Sequence, residues 1–138
     1  MTSSEIIKNI LEGETALIFA QDLFIGREPE RPSNTVTIFD TVDQGPQLTL
    51  NNSPENKTAY DYTAIQIRVR HVDYKEAMNR ATQYMRILHN RGNEIFGEIR
   101  VTLIEALDNP SLLDWDKNDR ARIITNYSIQ RTPQPVIT

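Results

Sequence analysis

Arg68 and Arg70 stand two apart in "YTAIQIRVRH", alternating with Ile65, Ile67 and Val69. Successive side chains of a strand point to opposite faces. The spacing therefore places both guanidiniums on one side with Gln66, Tyr62 and Tyr60, and the aliphatics on the other. A guanidinium is a planar fork of donors suited to phosphate or carboxylate. Four uses follow: binding phosphate, binding a substrate, meeting another copy of the chain, or facing water. Tyrosine and arginine are also the residues that interface centres favour, and aspartates such as Asp40 and Asp43 are what they would pair with across a contact.

The rest of the reactive inventory is thin. Of the two histidines, His71 closes this strand and His89 closes a later helix, with no HExxH, no Ser-His-Asp order and no metal-spaced pair. "DWDKND" in 114–119 matches the start of a calcium loop, but Asp119 stands where glycine is needed and Thr125 where a bidentate glutamate is needed. A hairpin turn is the better account. Five glycines are scattered singly, so no phosphate-cradling loop is present. The acid pairs Glu12/Glu14 and Asp40/Asp43 sit near loops with nothing to raise a pKa. The expectation is a protein that is not an enzyme and uses no metal and no cofactor.

The elements that position the arginine stripe can be read from periodicity. Thr2 and Glu5 have capping-box spacing ahead of Ile6, Ile7, Ile10 and Leu11, predicting a helix that ends near Gly13. Residues 15–26 read as a connection and a short strand, 27–34 as a loop with two prolines, and 35–41 as a strand with Val36 and Ile38 on one face. A long loop is expected over 42–58. The clearest strand spans 60–71. Asp73 then caps a helix reaching about Asn90, with Ala77, Ala81, Tyr84, Met85 and Leu88 on one face. "NRGN" supplies a glycine cap. Strands follow at 98–106, with Ile99, Val101 and Leu103 on one face, and at 121–132. A turn-rich link joins them, and 133–138 is a loose tail. These elements predict an α+β fold: one domain over 1–138, a mixed, mostly antiparallel sheet with helices packed on one face.

Composition narrows the use of the arginines. The 138 residues carry 15 basic and 19 acidic side chains, a net charge of −4, which argues against a general nucleic-acid binder. Asp61 and Asp73 flank the arginines and work against a basic patch. The absence of cysteine excludes disulfides and thiolate chemistry. No signal peptide or membrane span is legible, so a soluble, intracellular chain is expected. A small nucleic-acid-binding regulator using Arg68, Arg70, Arg80 and Arg86 remains the reading from another class.

"DLFIGREPERPSNTVTIFDT", then "YDYTAIQIRVR", "YKEAMNRATQYMRILH" and the closing "DWDKNDRARIITNYSIQRTP" together resemble a family of tailed-phage tail terminator, or tail completion (minor capsid), proteins. The likeness spans roughly 20–133, with 1–19 the poorest match. It implies a virion subunit, assembled in the host bacterial cytoplasm, that forms a homo-hexameric ring at the head-proximal end of the tail. Its implied partners are copies of itself, the tail tube protein, the head–tail connector or adaptor, and a sheath if the tail is contractile, with DNA passing through without specific binding. Another neck or tail component, a head-completion adaptor or a tube subunit, is the neighbouring alternative.

Overall fold

The computed structural model describes residues 1–47 and 60–133. The elements run α1 (Ser3–Glu14), β1 (Leu23–Ile25), β2 (Thr35–Gln47), β3 (Tyr60–His71), α2 (Tyr74–Leu88), β4 (Glu94–Phe96), β5 (Ile99–Ala106), β6 (Ser111–Trp115) and β7 (Ala121–Arg131). The fold is α+β, as the periodicity indicates. The sheet order is β1-β2-β3-β7-β5-β4, with β6 also pairing on β7 beside β5. Among the described strands β1 and β2 pair in parallel and the other pairs are antiparallel.

Both helices start as their sequences dictate. Thr2 and Glu5 close the capping box of α1, and Ser4 donates its amide and hydroxyl to the Asp40 carboxylate at 3.1 and 2.6 Å. An acid at that end complements the helix dipole. Asp73 caps α2 by accepting from the Lys75 amide. Apolar stripes from both helices, Ile6, Ile7, Ile10 and Leu11 on α1 and Ala77, Ala81, Tyr84 and Leu88 on α2, bury against a single sheet face. That face is supplied by Val36, Ile38, Ile65, Ile67, Val69, Ile123, Tyr127 and Ile129. Burial of Tyr84 among them pushes its phenol up to about 12.

Several boundaries differ from expectation. β2 continues through residues 42–47, pairing Gly45 with Tyr62 across a bulge, so the first part of the expected loop is strand; 48–58 lie outside the described residues, as do 134–138 of the tail. The link before β7 holds β6, which survives its turn-rich flanks because it pairs with β7 from Ser111 to Trp115. In β5 a register shift between Val101 and Leu103 moves the buried position from Leu103 to Ile104. The cap of α2 is also different. His89 is the C-cap, and Asn90 takes the left-handed turn at φ 64. Gly92 serves a close approach instead, since a Cβ there would meet the Thr102 carbonyl oxygen at 2.1 Å.

Candidate assembly surface

The register places the arginine stripe on the sheet face opposite the helices. Arg70 lies between Thr35 of β2 and Arg122 of β7, Arg68 between Thr37 and Ile124, and Gln66 between Phe39 and Asn126. Alternation therefore made two faces of unlike use, one for the core and one lined by polar side chains.

The two arginines have different fates on that face. Gly26, at φ 75, turns the chain off β1, and the loop through residue 34 folds back over the end of the polar face. Arg70 holds it there. Its Nε donates to the Ser33 carbonyl at 3.1 Å and its Nη2 to the Pro32 carbonyl at 2.8 Å, while Nη1 pairs with Glu28 at 3.4 Å. The side chain is only 3% exposed. Burial lowers its pKa, opposed by Glu28, which leaves it charged at any ordinary pH because the starting value is so high. Arg68 stays half-exposed, its guanidinium 4.8 Å from the Phe39 ring and its Nη2 donating to Gln66 at 3.4 Å.

Two further arginines join the brace, and the sequence reading missed both. Arg120 donates from Nη1 to the Glu30 carbonyl at 2.7 Å and from Nε to Asp116 at 2.7 Å. Arg122 makes a bidentate pair with Asp114 at 2.6 and 2.5 Å and reaches Glu28 at 3.2 Å. Asp114 is held below the usual carboxylate range chiefly by those Arg122 bonds. For Asp116 burial pushes the pKa up, and the Arg120 amide, the Arg120 guanidinium and the Asn118 amide outweigh it, so the net shift is downward. The Arg122 pKa is raised by Asp114 in return. The signal for Arg122 was present: in "ARIITNYSIQR" it shares its parity with Asn126 and Ser128, the side that meets Arg68 and Arg70. The aspartates of "DWDKND" are thus committed to arginines and to a turn, with the Asp116 carboxylate accepting the Asn118 amide at 2.9 Å.

The remaining candidates divide in the same way. Tyr60 is exposed and Tyr62 half-buried, both at the parity of Arg68. Gln66 donates to Asn126 at 3.2 Å. Asp40 is tied to the start of α1 through Ser4, and Asp43 accepts from the Ser128 hydroxyl of β7. The structure therefore brings Arg68, Gln66, Tyr62 and Tyr60 to one accessible strip. It sends Arg70 inward and engages both aspartates within the chain. His71 accepts the Asp73 amide and His89 the Ala106 amide, each through Nδ1. No cluster of His, Asp and Glu able to hold a metal occurs among the described residues, and no helix among them is long and apolar enough to cross a membrane.

These features define a small mixed-sheet α+β subunit whose buried charges brace a loop and leave a polar sheet face accessible. A family model for bacteriophage tail terminator proteins matches residues 8–133, and the chain belongs to that family: it is a structural protein of the phage tail. Among solved structures, a chain from the virion of a native gene transfer agent particle is 11% identical, with 95% of this chain and 87% of that chain covered and a TM-score of 0.57. A second is 10% identical over 99% of this chain and 100% of its own, also at TM-score 0.57. At such identity the likeness is one of fold. No curated protein matches the sequence.

Proposed function

We propose that this subunit, assembled in the host bacterial cytoplasm, closes into a homo-hexameric ring that caps the head-proximal end of the tail tube and joins it to the head connector. The family match across residues 8–133 carries this reading. The ring works by contact and catalyses no reaction. A net charge of −4 suits a channel through which duplex DNA slides, because a protein that neutralises no phosphates releases no counterions and gains nothing by holding on. The strip of Arg68, Gln66, Tyr62 and Tyr60 supplies a contact with the adjoining component of the assembly, as aromatic and arginine side chains do at interface centres.

The test is electron microscopy of the purified protein mixed with its tail tube protein. Single rings seated on one end of each tube support the cap. Open stacks formed by the protein alone point to a tube subunit, and rings that ignore tube ends point to an adaptor.

A further inference from the structure

Two apolar features sit at opposite edges of the sheet. At one, residues 18–22 form a tight turn in which the Gln21 and Asp22 amides donate to the Ile18 carbonyl at 3.1 and 3.2 Å. The Asp22 carboxylate accepts the Ile18 amide at 2.7 Å, and Glu12 accepts the Phe19 amide at 3.1 Å. The Lys8 ammonium lies 4.9 Å from the Phe19 ring. This turn holds out two large side chains, Ile18 at 51% and Phe19 at 42% exposure. Phe19 bridges to Leu23, which places it on the outer side of β1. An apolar pair fixed in this way loses little freedom on docking.

At the other edge is a hollow of about 440 Å³ between the C-terminal half of α2 and the chain leaving β5. Met85, Arg86, His89, Ala106, Leu107 and Asp108 line it. Leu107 is 56% exposed and its amide donates to Asn126 of β7 at 2.8 Å. A methionine wall adapts to the shape that enters. Arg86 has no ion-pair partner among the described residues.

We propose that the hollow is a socket for the Ile18–Phe19 knob of a neighbouring copy. The inference rests on the ring reading and gives the ring its lateral contact. A cyclic ring needs two different, complementary patches on each subunit. Knob and socket are unlike in shape and lie at opposite sheet edges, so each copy can take one neighbour's knob and give its own to the next. Charge agrees with the match at one point: Arg86, with no ion-pair partner among the described residues, meets the acid Asp22 beside the knob. Lys8 and Glu12 instead pair with each other at 3.6 Å, and Asp108 is held by Asn126 at 3.0 and 2.9 Å.

The chain contains no cysteine, so engineered pairs report without background. Gln21→Cys, beside the knob, and Asn109→Cys, on the rim of the hollow, alter exposed positions, spare Ile18, Phe19 and Leu107, and leave the thermal midpoint near that of the wild type. Under mild oxidation the double variant is expected to give a non-reducing ladder that ends at the ring size. A mixture of the two single variants stops at dimers, and neither alone cross-links. Rings by light scattering with no ladder overturn the socket, as does a single variant that cross-links to itself. Monomer at every concentration overturns the ring reading and the socket with it. As an independent check, Ile18→Glu weakens self-association by at least about tenfold; an unchanged association constant counts against the proposal.

Discussion

Arg70 donates to the carbonyl oxygen of Pro32 across 2.8 Å, which fixes a strand residue to a loop 38 positions earlier. The same guanidinium pairs with Glu28, and both side chains are nearly excluded from water, at 3% and 9% exposure. Removing Arg70 leaves Glu28 with Arg122 alone, at 3.2 Å, and strips the Ser33 and Pro32 carbonyls of a charged donor, each such bond being worth about 1.5–3 kcal/mol. Arg70→Ala is therefore expected to lower the thermal midpoint by on the order of 10 °C. Circular dichroism melts would show it; a shift within a degree or two would mean the loop is held by something else.

Arg68 should behave differently. Its contact with Phe39 is half-exposed and worth about 0.5–1 kcal/mol, so Arg68→Glu folds with a slightly lower midpoint. If the strip meets another component, this variant loses binding to isolated tail tubes or connectors in a sedimentation assay. Binding equal to the wild type would remove Arg68 from the contact.

Acid should weaken the brace. Asp114 and Asp116 both have folded pKa values below their ordinary 3.8. The unfolded chain therefore takes up protons at those positions more readily than the folded one. The stability they supply is fully present above about pH 4 and is lost as pH falls through the lowered folded values. Trp115, the sole tryptophan, adjoins Asp114 and stacks on Tyr74 with ring centroids 6.3 Å apart, so its fluorescence reports the change. Asp114→Asn should flatten the dependence of the midpoint on pH below about 4. An unaltered acid profile would assign acid sensitivity to other carboxylates.

Much of the fold was legible because the strongest patterns were local. Strict alternation gave β3 its bounds, and Thr2, Glu5 and Asp73 marked the helix starts through cap chemistry. What escaped depended on pairing between distant segments. β6 exists because β7 offers a partner, whereas its own sequence, between Pro110 and "DKND", reads as turn. The register shift in β5 is invisible without its neighbour and exchanges Leu103 for Ile104 in the core. The arginines show the same limit: alternation put Arg68 and Arg70 on one face, yet only the fold of residues 26–34 over that face separates a buried brace from an accessible side chain.

Gly92 offers a clean test of the α2–β4 connection. A methyl group there would lie 2.1 Å from the Thr102 carbonyl oxygen, which is backbone and cannot step aside cheaply. Gly92→Ala should cost about 1–3 kcal/mol through overpacking, measured by urea unfolding, whereas Gly13→Ala, with nothing within 4 Å of the added carbon, should be neutral or stabilising in its helix.

Closure of the ring is tested most directly by size-exclusion chromatography with light scattering. A tail terminator ring predicts one species of about six times the 15.9 kDa subunit mass, unchanged as concentration rises above the assembly threshold. A mass that stays at one subunit throughout, or that climbs without limit as open polymers grow, would contradict it.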